Sequence, residues 1–164
     1  MTTLETIDTK QTVAAKGKKK SILGIARVAG VLYLLIAALS IPIHFLIPAQ
    51  LIVAGDAATT ANNIVASAGL FRLGIGIELI LLMCEIVLSV LLYVLLKPVN
   101  RTLSLVAAVS RLAMTTIHAV NLLTHFVVFV LLSGASYLTV FAPNQLQALA
   151  MVFLDAYDFG FTIG

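Results

Sequence analysis

Three stretches of this chain, near residues 26–47, 73–96 and 104–132, run with very few charges for a length that decides the fold class. About 20 apolar residues in helical form cross the roughly 30 Å hydrocarbon core of a bilayer. Inside that core every backbone N–H and C=O must be paired within the protein, which leaves helices or closed barrels, and runs of this length read as helices. The 164 residues are 61% hydrophobic and only 10% charged, against about 25% charged in soluble domains. An ordinary water-soluble fold and a disordered chain are therefore excluded. So is a disulfide-stapled secreted domain, because Cys84 is the only cysteine and cannot form an internal bridge. The same fact excludes a thiol oxidoreductase built on paired cysteines, and Cys84 reads as a small buried apolar residue. The expected fold is all-α: a polytopic helical membrane bundle with about three full transmembrane helices and a fourth, incomplete helix over 146–163.

Charge sets the expected topology. The formal net charge is +3, and half of the ten Lys and Arg residues lie between Lys10 and Lys20. Residues 1–21 read as a disordered cytoplasmic tail and 22–164 as the helical membrane domain. A signal peptide would also place lysines before an apolar run, but this run continues past any small-residue cleavage site through IPIHFLI. Because the basic excess is a single tail, it sets orientation or touches anionic lipid, and no nucleic-acid partner is expected. Lys97 and Arg101 share a turn, whereas the loops 48–72 and 133–145 hold only Arg72. The positive-inside rule then places the N-terminus and the 97–103 turn in the cytoplasm of a multi-pass cell-membrane protein.

Local signals add detail. Pro42 removes a backbone donor and predicts a kink near Leu39 or Ser40, and Pro48 is expected to end the first helix. Asp56 after Gly55 is a good N-cap for a short helix over 57–68 that packs on the bundle rather than spanning. Pro143 suits a helical first turn.

The ionisable residues inside the apolar runs are the most informative feature. Each costs about 2.5–3.5 kcal/mol at the bilayer centre on insertion scales, so such groups face the bundle interior and have partners. Glu78 and Glu85 lie seven apart in the second run, within about 20° of one helix face. Arg111, His118 and His125 form a second stripe at the same spacing, edged by Thr115 and Asn121. An antiparallel hairpin turning between Asn100 and Arg101 brings together residues whose numbers total about 201. That register sets Glu78 beside His125 and Glu85 beside His118, with Arg111 opposite Leu92. His44, after the Pro42 kink, reads as an interfacial histidine. Asp155 and Asp158 on the fourth helix reach the level of the two glutamates and can join the same polar core, or lie instead in a re-entrant or surface helix.

Several functions fit this core. It can be hydrogen-bonding glue between helices, or a proton, ion or small-ligand pathway, since carboxyl–imidazole pairs exchange protons near neutral pH. It can also be a membrane-embedded metal- or haem-dependent redox centre, although the E-x-x-H pairs of bundle di-metal sites are absent from the sequence. A structural or regulatory subunit is a further alternative. No cofactor is expected, and the residues name no metal. No nucleophile motif or phosphate loop occurs, so nothing points to an enzyme. The partners expected are the lipid bilayer and a second copy or another membrane protein.

The strings GDAATTANNIVASAGLFRLGI (55–75), LLYVLLKPVNRTLSLVAAVSRL (91–112), AVNLL (119–123) and LTVFAPNQLQALAMVFLDAYDFGFTIG (138–164) together resemble the bacterial membrane family called domain of unknown function 4386. The resemblance covers nearly everything from about residue 23 onward. It implies a polytopic membrane protein with no assigned activity and no catalytic residues to carry over. Members of that family continue beyond the FGFTIG string with further spans, so this chain reads as the N-terminal part of a larger bundle. Phe153, Phe159 and Phe161 are then expected to be unusually exposed. Many members also carry a His near 156–158, where this chain has Ala-Tyr-Asp, and that departure weakens any metal site on the fourth helix.

Overall fold

The structure is a computed structural model describing the backbone of residues 2–163 and the side chains of residues 22–162. Among the described residues it is helical with no strand. The order is α1 (Thr2–Ile41), a π-helical turn (Pro42–Leu46), α2 (Ile47–Leu51), α3 (Ala57–Ala66), α4 (Ala68–Leu96), α5 (Arg101–Leu131), a 3-10 turn (Ser136–Val140) and α6 (Pro143–Ile163). Three helical segments are long and apolar enough to cross a membrane: Ile22–Leu51, Ala68–Leu96 and Arg101–Leu131. Their outward faces are apolar, with Leu34, Val90, Val106 and Leu123 all exposed.

The backbone of α1 is helical from Thr2, so the segment expected as a disordered tail continues the first span. Once a helix is nucleated, each further residue adds a hydrogen bond at little cost, and 2–21 contains no proline. The lysines of that segment lie outside the residues whose side chains are described.

The prolines act differently from expectation. The bend lies in the wide turn Pro42–Leu46, after the proline rather than at 39 or 40. There the Ile47 N–H reaches back to the Pro42 carbonyl, five residues away, which absorbs the missing donor. Pro48 then falls in the first turn of α2, where a helix needs no N–H. It therefore does not end the helix, and the chain turns extended only at Ile52.

Asp56 caps α3 as expected. Its carboxylate accepts the Thr59 N–H at 2.9 Å and the Thr59 hydroxyl at 2.7 Å, and these bonds hold the carboxyl below its ordinary range. The helix ends at Ala66, two residues short of the expected boundary. Thr60 bonds both the N–H and the carbonyl of Val53, and α3 lies on α6.

The α4–α5 hairpin turns where the sequence placed it. The Asn100 side chain accepts the Leu103 N–H at 3.0 Å, which starts α5 at Arg101 instead of 104. The Ser104 hydroxyl donates to the Tyr93 carbonyl at 2.7 Å and pins the two helices at that end. At the other end Leu51, Ile64, Phe71, Ile75, Leu82, Leu122, Val128, Ala150 and Leu154 form one apolar core joining α2 to α6. α6 begins at Pro143 and runs against α5. It buries Ala150, Leu154 and Tyr157. Phe159 is 73% exposed, as expected, but Phe153 packs against the core because it lies beside Leu154 on the inward side of the helix.

Candidate functional site

Glu78 stands on the tenth residue after Ala68, about 15 Å along a 29-residue helix, and is 5% exposed. A carboxyl group buried this far from either helix end needs partners. It has two. The Tyr157 hydroxyl of α6 donates to Oε1 at 2.5 Å, and His125 Nδ1 of α5 lies 3.8 Å from Oε2. The His125 ring also stacks on the Tyr157 ring at 3.9 Å between centroids and meets the edge of Phe71 at 5.5 Å. The expected Glu78–His125 pair is therefore present.

The second expected pair is not. Glu85 Oε2 accepts the Thr115 hydroxyl at 3.0 Å, and the His118 ring lies against Phe161 at 5.7 Å. Two causes combine. His118 lies three residues after Thr115, about 60° away around the helix, so the two do not present the same edge to α4. α6 also inserts Phe161 beside His118, in a position that a hairpin considered alone leaves empty.

His44 sits inside the π-helical turn rather than at a free edge. Its Nδ1 lies 2.9 Å from the Ser40 carbonyl oxygen, and its ring stacks on Phe161 at 4.5 Å. One phenylalanine thus bridges two imidazoles from different helices. Arg111 points away from the acids: its Nη1 donates to the Tyr33 hydroxyl of α1 at 2.9 Å, with the guanidinium 5.3 Å over the same ring. Asn121 serves packing, donating from Nδ2 to the Tyr157 carbonyl at 2.7 Å. Gly160 allows this approach, because a Cβ there would fall inside the Asn121 amide.

Of the two placements open to Asp155 and Asp158, the structure shows the outer one: both are exposed. On α6 the inward stripe is Ala150, Leu154 and Tyr157, and helical geometry turns 155 and 158 outward from it. Only Asp158 reaches the rim of a cleft. Tyr157 is the residue the sequence reading missed. The signal was available, since it lies three after Leu154 and seven after Ala150 and carries a hydroxyl into an apolar stripe.

These side chains border two adjoining clefts between the π-helical turn, α4, α5 and α6. One, of about 240 Å³, is walled by Ser40, Ile41, His44, Phe45, Glu78, Leu81, Leu82, Glu85, His118 and Phe161. The other, of about 300 Å³, shares His44, Phe45 and Phe161 and adds His125, Tyr157, Asp158 and Thr162. Glu78, Glu85 and all three histidines therefore face this space, and among the described residues no Lys or Arg does. Among the described residues no three His, Cys, Asp or Glu side chains gather closely enough to hold a metal ion.

No curated protein matches the chain, and no solved structure matches it. The family model described as a domain of unknown function (DUF4386) matches residues 28–164, and the chain belongs to that family.

Proposed function

We propose that this chain is a multi-pass integral membrane protein whose buried carboxyl–imidazole cleft carries protons, with Glu78 as the central exchanging group. One observation carries the reading. Glu78, Glu85, His44, His118 and His125 come from three segments of the chain and face the same pair of clefts, within helices long and apolar enough to cross a bilayer. Intramembrane groups of this kind are costly and mark pathways more often than joints. His125 at 3.8 Å from Glu78 is close enough to take a proton after a small side-chain motion. The Tyr157 hydroxyl holds the carboxyl in place meanwhile. The N-terminal side of α1 and the Lys97–Arg101 turn face the cytoplasm in this reading, which rests on the distribution of basic residues.

The test is proton flux into proteoliposomes containing the full chain, driven by a potassium diffusion potential and read with an entrapped pH dye. Flux above protein-free vesicles is expected, with Glu78→Gln reducing it to the protein-free level. Equal flux in the variant and the unaltered chain refutes the assignment. A second reading, in which the Glu78–Tyr157 bond only joins α4 to α6, is favoured by the shortness of that bond and predicts no flux from either protein.

A further inference from the structure

We infer that the cleft between the π-helical turn and α4 is a binding site for small hydrophobic monocations, of the quaternary or protonated-amine class, that exchange with the proton. The inference rests on Glu78 and Glu85 being the exchanging carboxyls of the proposed function, and it adds a ligand to them.

The walls carry the argument. Binding sites for small molecules are mostly apolar with a few placed polar groups, and this cleft has that balance. Leu81 and Leu82 line its floor, while two carboxylates stand two helical turns apart on its α4 side. Among the described residues no Lys or Arg lines this wall, and Arg111 is held by Tyr33 of α1. The aromatic ring of Phe45 also lines the cleft, whereas Phe161 is stacked with His44 and His118. Aromatic faces attract cations, and quaternary ammonium groups are bound in this way by aromatic cages. A small hydrated metal ion would have to shed its water with too few oxygen ligands in reach. A cation whose charge is wrapped in carbon loses little hydration on entering. The mouth lies at Ile41 and Phe45, both more than half exposed on the apolar outer surface, so a ligand of this class can enter from the lipid side.

Proton and cation then compete. The titratable groups that face the carboxyls are His44 from the π-helical turn, His118 and His125 from α5, and Tyr157 and Asp158 from α6. A proton added to any carboxyl or imidazole of this set opposes a bound cation, which is the basis of the exchange.

The probe is benzyltrimethylammonium, with neopentylbenzene as a neutral molecule of the same shape, titrated calorimetrically into the full chain in detergent. Saturable binding of the cation is expected at alkaline pH, weakened about tenfold or more in acid. In Glu85→Gln the affinity should fall by about tenfold, and the neutral probe should not compete. If that variant does not fold, Ile41→Trp, an exposed wall position, narrows the mouth and should weaken binding in its place. No binding, equal binding of the neutral probe, or cation affinity indifferent to pH each overturns the inference. Proton flux that persists without cation binding would leave the proposed function standing and remove this one. Cation binding without flux would remove the proposed function and the proton exchange that rests on it.

Discussion

Replacing Tyr157 with Phe deletes one hydroxyl and leaves the ring that stacks on His125 in place, so its effect isolates the bond to Glu78. Interhelical polar contacts in membrane proteins average about 0.6 kcal/mol and reach about 1.7 kcal/mol. A hydrogen bond to a charged acceptor is worth about 1.5–3 kcal/mol. Those ranges separate a fixed neutral joint from a carboxyl that carries charge for part of a cycle. The measurement is a double-mutant cycle of Tyr157→Phe with Glu78→Leu, unfolded by SDS in mixed micelles and followed by circular dichroism. At alkaline pH the coupling energy should be about 1.5 kcal/mol or more. A carboxyl that exchanges its proton as proposed loses that charge in acid, and the coupling should then fall toward the membrane average of about 0.6 kcal/mol. A coupling that is the same at both pH values would refute the reasoning, because it would mean that the carboxyl does not change its charge.

Gly160→Ala should destabilise the chain by about 1–3 kcal/mol, the usual cost of overpacking, because the added methyl displaces the Asn121 amide from the Tyr157 carbonyl. The same unfolding assay should show Asn121→Ala recovering part of that loss. Asp56→Ala should speed hydrogen exchange at the Thr59 and Thr60 amides, whereas Asp56→Asn should retain most of the protection. The Asp56 carboxyl is held below its ordinary range in the folded chain. Its contribution is therefore complete above about pH 4, the unfolded value, and is lost as pH falls through the lower folded value; exchange measured against pH should follow that order. A cysteine placed at Thr102 should react only with reagents reaching the cytoplasm and one at Ser136 only with those outside, as labelling in intact cells reports.

Much of the bundle was legible because the physics behind it is local. Apolar length marked the spans, and Asp56 is a cap whose side chain acts within three residues. The hairpin register followed from a short turn, which is why Glu78 meets His125. What the sequence hid depends on a third helix. Nothing in α4 and α5 alone shows that Phe161 of α6 would lie against His118, nor that Thr115 would take Glu85. Tyr157 was overlooked for a related reason. Beside two aspartates its neighbourhood reads as polar surface, and only the Ala150–Leu154 stripe reveals that 157 turns inward while 155 and 158 turn out. The π-helical turn was hidden for a different reason: proline signals a lost donor but not whether the chain kinks or widens to absorb it.

Infrared difference spectroscopy of the full chain between acidic and alkaline buffer tests the central claim most directly, because a protonated carboxyl has a C=O stretch of its own. The account predicts a carboxyl band that appears in acid, disappears in alkali and is missing from Glu78→Gln, with Glu85 contributing a second band lost in Glu85→Gln. A spectrum in which the Glu78 band is unchanged between the two buffers would contradict it, since a carboxyl that never exchanges its proton cannot carry one.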